Sequence, residues 1–287
     1  MEWFALTAIL ILAAFMRLYK LDVFPAGVFY DEAVNALDAR RVSADKWYPA
    51  YFPDNFGRGP LYEYLLAAML RLGGANELTL RLASVFIGIL TIAVFYRLAR
   101  QLFAVPVAIV AVLFLASSRW HANFSRVAFD AIMVPLLLVL TVLFLLQALN
   151  QRRDSGYVLA GLFVGLGLQT YTAFRLVPVL IVVVVAAFAL LGKVVWQEAA
   201  TRLTLLLVVA AIAATPVIYY ARSEPEGFWK RTKTTSVFRD RSPWEARHDL
   251  LLSVQRHLGM FNFQGDRNGR HNLPGYPMLH PFIGGLF

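Results

Sequence analysis

The chain of 287 residues contains no cysteine, so disulfide bonds and thiolate metal sites are excluded. Charged residues are also scarce, at 16% of the chain, whereas soluble domains carry about 25%. Hydrophobic residues make up 59%. They occur in blocks long enough, or nearly long enough, to cross a bilayer of about 30 Å. These features predict an all-α polytopic membrane protein.

Acidic residues are fewer than basic ones, 18 against 27, which gives a formal net charge of +9. In a soluble protein this excess would suggest nucleic acid as a partner. In a membrane protein, basic residues hold loops in the cytoplasm and contact anionic lipid head groups. We therefore predict that these basic residues contact membrane lipids, and we predict no nucleic-acid partner.

Hydropathy predicts about seven membrane spans, with a tight turn at 172–175 between the fifth and the sixth. The first apolar block has Glu2 in place of a basic n-region, which favours a retained helix over a signal peptide. The predicted spans are 3–18, 80–96, 105–117, 129–149, 157–171, 176–191 and 203–220.

Basic residues in three alternate loops predict the topology, because short cytoplasmic loops are rich in Lys and Arg. Segments 21–79, 118–128, 172–175 and 221–271 then lie outside, and we expect a multi-pass protein of the plasma membrane. The chain reads as one transmembrane domain over 1–287. Apolar character resumes at 281–287, so we expect a further membrane span to begin there in a longer protein. The basic residues are Arg97, Arg100, Arg152, Arg153, Lys193 and Arg202.

The first outer segment, 21–79, contains two stretches with helical spacing. The first is 31–44, and the second is 60–72, where Pro60 suits a first helical turn. Aromatic residues, Pro and Gly fill the connection at 46–59. This pattern predicts two interfacial helices that lie on the membrane.

The predicted outer face collects acidic and basic side chains near the membrane boundary. Carboxylates there can act as a general base or a metal ligand, and arginines bind phosphate oxygens bidentately. Two plainer interpretations stay open: adjacent Asp31 and Glu32 can cap a helix, and the arginines can extend to the lipid–water interface. The set comprises Asp31, Glu32, Arg58, Glu63, His121, Arg126, Asp130 and Arg175.

Four stretches, by their order and spacing against the spans, resemble the GT-C class of membrane glycosyltransferases. The resemblance is strongest to the protein O-mannosyltransferase-like group that includes the bacterial aminoarabinose transferases of lipid A. It covers essentially the whole chain, and Tyr171-Thr172-Ala173-Phe174-Arg175 is similar to a segment of bacterial members. The four stretches are 15–22 leading into Phe29-Tyr30-Asp31-Glu32-Ala33, then Gly57-Arg58-Gly59-Pro60-Leu61-Tyr62, Leu80-Arg81-Leu82-Ala83-Ser84-Val85, and Ser125-Arg126 with Asp130.

The resemblance implies a GT-C-type helix bundle that moves a sugar from a polyprenyl-phosphate carrier to a protein or glycolipid acceptor of the cell envelope. Transfer would occur on the non-cytoplasmic side. Asp31 takes the position of the general base, and Asp130 matches a second acidic position. Glu32 is a candidate ligand for a divalent metal ion, since some relatives resemble metal-dependent enzymes.

Positive charge for the leaving phosphate is expected from Arg58, Arg126 or Arg175. Glu63 and His121 complete the predicted substrate-binding set.

Two departures from the family pattern lie side by side: Gly59 replaces the first Pro of a Pro-Pro-Leu-Tyr pattern, and Arg58 stands where Lys or His is commoner. Two other classes of function remain as alternatives. A transporter would place ionisable residues inside its spans, and the apolar blocks carry almost none. A non-catalytic membrane scaffold would have outer-face charges that do not converge.

Overall fold

The computed structural model describes residues 1–151, 153–269 and 271–285. These ranges are largely helical, and their only β pairing is an isolated antiparallel bridge between Phe52 and Arg58. The predicted all-α class is thereby confirmed. The helices are α1 Glu2–Leu18, α2 Tyr30–Ala44, α3 Pro60–Gly73, α4 Glu77–Leu102, α5 Val105–Ser117, α6 Arg119–Phe124, α7 Met133–Gln151, α8 Asp154–Gly167, α9 Val177–Leu190, α10 Trp196–Ala213, α11 Thr215–Ser223, α12 Pro225–Thr235, α13 Pro243–Gly259 and α14 Pro281–Gly284.

Each of the first six predicted spans overlaps one helix. Four helical segments are long and apolar enough to cross a membrane, namely Glu77–Leu102, Asp130–Gln151, Thr172–Leu190 and Trp196–Ala213, whereas α5 and α8 are shorter apolar helices. The tight turn predicted at 172–175 is a 3-10 turn at Thr172–Leu176, which runs directly into α9.

The seventh predicted span is wrong in its boundaries. α10 begins at Trp196, before the predicted start at residue 203, and ends at Ala213. Pro216 lies at the start of a separate helix, α11. Proline has no backbone N–H to donate inside a helix but fits a first turn, so the chain ends one helix and begins another there.

The two helices predicted for the first outer segment form as α2 and α3, and both pack into the protein core. Ala39 and Val42 of α2, and Tyr62 and Leu66 of α3, are buried in the same hydrophobic core as residues of α4, α7, α8, α9 and α10. A second core joins α1, α4 and α5. This packing holds α2 and α3 against the long apolar helices.

Candidate active site

A cleft of about 380 Å³ opens where the first outer segment meets the C-terminal third of the chain. The polar and aromatic side chains that line it come from segments as much as 240 positions apart in sequence. Among the predicted site residues, only Asp31 lines the cleft. The lining residues are Asp31, Asn55, Phe56, Phe129, Tyr171, Arg231, Thr234, Thr235 and His271.

Asp31 lies in the first turn of α2, where the positive end of the helix dipole favours a carboxylate. Its Oδ1 atom accepts a hydrogen bond from Nδ2 of Asn55 at 2.5 Å. Asp31 is only partly buried, in contrast to its neighbour Glu32. An accessible, oriented carboxylate in a cleft has the geometry that a general base needs.

Glu32 points away from the cleft into the protein. Its Oε1 accepts from the backbone N–H of Ala128 at 2.9 Å and from Nε of Arg81 at 3.3 Å, and its Oε2 accepts from the N–H of Phe29 at 3.2 Å. Both carboxylate oxygens are thus engaged by protein donors. Within the described ranges, no group of three or more His, Asp or Glu side chains is placed to hold a metal ion. The geometry does not fit a metal site at Glu32, and we reassign this residue to positioning.

Residues of α2 form hydrogen bonds with both the backbone N–H and the backbone carbonyl of Ala128. Glu32 accepts from its N–H, and Nδ2 of Asn35 donates to its carbonyl oxygen at 2.8 Å. Phe129, the next residue, lines the cleft, and Asp130 follows it. α2 therefore fixes the segment that carries Asp130 beside its own N-terminal turn.

Arg58 lies in a buried ion cluster rather than in the cleft. Its guanidinium donates to Asp38 and Asn35, and at 2.7 Å to Oε1 of Glu63. Burial raises the pKa of Glu63 well above its usual range, and raises that of Asp38, although the charge of Arg58 opposes both shifts. We therefore reassign Arg58 and Glu63 from substrate binding to holding α2, α3 and their connection together.

Asp130 is 1% exposed, and neither of its carboxylate oxygens has a hydrogen-bond partner within the described part of the chain. The positive charges that act on it belong to Arg58 and Arg231. Asp130 is thus buried within range of Arg58 in the ion cluster and of Arg231 in the cleft, and it does not itself line the cleft.

The guanidinium of Arg126 forms hydrogen bonds with backbone carbonyls at and just after the C-terminal end of α1. It donates to the carbonyl oxygens of Met16 and Arg17 at 3.0 Å, and to those of Tyr19 and Phe24 at 2.9 Å. A cation that satisfies the last carbonyls of a helix acts as its C-terminal cap. The guanidinium of Arg126 is therefore used in backbone hydrogen bonds. We assign Arg126 to capping α1, in place of the predicted role in phosphate binding.

His121 is also remote from the cleft. Its Nδ1 atom lies 2.8 Å from Nη2 of Arg17, and its side chain is 1% exposed. Burial, together with the charge of Arg17, lowers the pKa of His121 to about 3. The imidazole is neutral and buried, and it does not line the cleft. The substrate-binding role of His121 therefore stays a prediction.

Arg175 belongs to an aromatic cluster beside the cleft. Its guanidinium lies 3.9 Å from the ring centroid of Phe228, and Nη2 donates to the hydroxyl of Tyr51 at 3.3 Å. Tyr51 in turn stacks on Tyr220 at 4.6 Å. This packing attaches α12 to the first outer segment and so forms one wall of the cleft.

Eight of the nine lining residues were not among the predicted site residues, and two of them, Arg231 and His271, carry basic side chains. Arg231 of α12 donates from Nη2 to the hydroxyl of Tyr171 at 2.7 Å. His271 lies with Nδ1 2.6 Å from Oδ2 of Asp266, and its ring stacks on Phe124 at 5.4 Å. The excess of basic residues in 221–271 was the available signal, but it did not distinguish Arg231 from its neighbours.

The GT-C fold is shown by two kinds of solved structure. ArnT from Cupriavidus metallidurans matches in its apo state with a TM-score of 0.61 and 21% identity, covering 77% of this chain and 42% of that one. The undecaprenyl phosphate-bound form of ArnT matches with 0.62 and 17%, covering 90% and 50%. An oligosaccharyltransferase from Archaeoglobus fulgidus, tethered to an acceptor peptide, matches with 0.57 and 16%, covering 91% and 38%. The chain thus spans half or less of the length of these structures.

The sequence was also compared with protein families and with curated proteins. Comparison with curated proteins gives no significant match. The profile of one family, described as dolichyl-phosphate-mannose-protein mannosyltransferase, matches residues 57–220. This range runs from the connection before α3 to α11 and includes more than half of the chain. The chain therefore belongs to the dolichyl-phosphate-mannose-protein mannosyltransferase family.

Proposed function

We propose that this chain forms the membrane-embedded catalytic part of a glycosyltransferase. The enzyme would move a sugar from a polyprenyl-phosphate carrier to a protein or glycolipid acceptor on the non-cytoplasmic face. The observation that carries the proposal is that the carboxylate of Asp31 and the guanidinium of Arg231 line one cleft. The family supports the sugar transfer, and the undecaprenyl phosphate in the ArnT structure supports the kind of carrier.

In this mechanism Asp31 accepts the proton of the acceptor nucleophile as that nucleophile attacks the anomeric carbon. A new bond from the acceptor to the anomeric carbon forms while the bond from that carbon to the carrier phosphate oxygen breaks. The phosphate leaves with the bonding electron pair. Inversion at the anomeric carbon follows from a single displacement.

Arg231 supplies the positive charge that the departing phosphate requires, because a guanidinium matches phosphate oxygens bidentately. It replaces Arg58 and Arg126 in this role, since both are engaged elsewhere in the protein. Asp130, buried near Arg58 and Arg231, balances their charge and contributes to holding the cleft in shape.

Mass spectrometry of cell-envelope glycans tests the proposal in cells that carry the full-length gene, lack it, or carry Asp31→Asn. We expect a glycan species that disappears with the gene and is not restored by Asp31→Asn. Asp22→Asn is the matched control, because Asp22 is an exposed aspartate of the same outer segment that does not line the cleft. If no species depends on the gene, the glycosyltransferase proposal is wrong. If Asp31→Asn restores the species fully, the assignment of the base is wrong.

A further inference from the structure

The connection between α2 and α3 ends in a turn with an unusual backbone. Asn55, Phe56 and Gly57 follow one another with φ values of +53°, +65° and +86°. Glycine adopts this left-handed region readily and asparagine tolerates it, but a bulky side chain such as phenylalanine rarely does. Strained residues of this kind persist only where the surrounding structure fixes them, and they cluster at functional sites.

The surrounding contacts do fix this turn. Phe52 and Arg58 exchange backbone hydrogen bonds of 3.0 and 2.8 Å, and the N–H of Gly57 donates to the carbonyl of Asp54 at 3.1 Å. The side chain of Arg58 is held in the buried ion cluster with Asp38 and Glu63. The base of the turn is therefore anchored in the protein core, while its tip reaches the cleft.

The turn places the side-chain amide of Asn55 at the cleft. Asn55 and Phe56 both line the cleft, and Nδ2 of Asn55 donates to Oδ1 of Asp31. We propose that Asn55 is a positioning residue for Asp31 and that the strained turn serves to present its amide. This inference rests on the proposed role of Asp31 as the base.

The chemistry suits an amide at this position. An N–H donor favours the ionised form of a carboxylate, which is the form that accepts a proton. An amide does so without adding a charge that would compete with Arg231 for phosphate. It also fixes the rotation of the carboxylate, which holds the accepting oxygen in line with the acceptor.

Two substitutions separate this role from a role in folding. Asn55→Gly keeps the left-handed backbone and removes the amide, and Asn55→Asp keeps the shape but places a second carboxylate beside Asp31. Asn76→Gly is the matched control: Asn76 caps α4 outside the cleft, and glycine is tolerated at that position of a helix. Folded protein in membranes should stay near the wild-type amount in all three variants.

The measurement is the initial rate at which isolated membranes with the full-length protein form the gene-dependent glycan from their endogenous donor, as a function of pH. We expect Asn55→Gly to lower the maximal rate by about 10-fold or more, as part of the 10²–10⁴-fold that a positioned base contributes. The acid side of its pH profile should move to higher pH, further for Asn55→Asp, and not at all for Asn76→Gly. Arg231, His271 and Tyr171 line the same cleft as Asp31 and are unchanged in every variant, so such a movement reports on the contact that was altered.

A wild-type rate and pH profile for Asn55→Gly would overturn the inference, and so would a rate that falls only in proportion to the amount of folded protein. If Asp31→Asn is inactive while Asn55→Gly behaves as wild type, only the positioning role fails. If Asp31→Asn itself is active, the assignment of the base fails as well.

Discussion

Arginine residues of this chain show how far side-chain type alone can predict a role. Arg58, Arg126 and Arg231 all lie in segments predicted to be outside the membrane. Arg58 is bound by carboxylates and Arg126 by main-chain carbonyls, whereas Arg231 lines the cleft. What separates them is the set of partners that the fold brings to each guanidinium, and apart from Glu63 these partners are 20 or more positions away in sequence.

Replacement of Arg231 tests the phosphate assignment. We expect Arg231→Ala to lower transfer by about 10²-fold or more, because a charge on the leaving group loses its partner. Arg231→Lys should retain part of the rate, since lysine keeps the charge but not the bidentate geometry. The rate of glycan formation by membranes measures both effects. Lys233→Ala, an exposed basic residue of the same helix, is the control, and equal rates for Arg231→Ala and Lys233→Ala would remove Arg231 from the mechanism.

His121 predicts how stability depends on pH. Its pKa is about 3 in the folded protein and about 6.5 when unfolded, so the unfolded chain binds the extra proton between these values. The stabilising contribution is complete above about pH 6.5 and falls as the pH decreases toward 3. Between pH 6.5 and pH 5 the loss is about 2 kcal/mol.

Thermal unfolding of the purified protein in detergent from pH 5 to pH 8 measures this dependence. In His121→Gln the part of the pH dependence that belongs to this histidine should be absent. An unchanged pH dependence in His121→Gln would show that other groups cause it.

At the scale of elements, the start of α3 explains a departure from the family pattern. The N–H of Leu61 donates to the carbonyl of Gln169 at 3.1 Å, so the backbone before α3 approaches the end of α8 closely. A Cβ atom at Gly59 would lie 2.1 Å from that same carbonyl oxygen. Glycine stands here because no side chain fits.

We therefore expect Gly59→Ala to destabilise the protein by about 1–3 kcal/mol, the usual cost of overpacking. Gly259→Ala is the control, because its Cβ would lie 3.8 Å from the nearest side-chain atom, an ordinary contact. Thermal unfolding of both variants in detergent measures the difference. Equal unfolding temperatures would show that the junction of α3 and α8 adjusts without strain.

The sequence predicts helices well where one local signal dominates. α2 and α3 have helical spacing, and they begin within one residue of the predicted positions. The start of α10 is missed because Glu198 and Arg202 lower its hydropathy. Glu198 and Arg202 form an ion pair across one helical turn. They are therefore compatible with the helix, although they lower the hydropathy by which it would be recognised.

At the scale of the whole molecule, the order of motifs against spans was sufficient to identify the family and the fold, both of which are confirmed. The set of residues that line the cleft could be predicted less well from the sequence. Asp31 follows from the resemblance, but Arg231 and His271 are separated from it by 200 and 240 positions. Such contacts are set by how α12 and the loop after α13 fold over the first outer segment, and no local pattern encodes them.

We propose that the cleft between Asp31 and Arg231 holds the phosphate of a lipid carrier during sugar transfer. An experimental structure of the full-length protein with undecaprenyl phosphate tests it most directly. We expect the phosphate within hydrogen-bonding distance of Arg231 and on the same side of the cleft as Asp31. A phosphate bound elsewhere, with the cleft still empty of lipid, would contradict it.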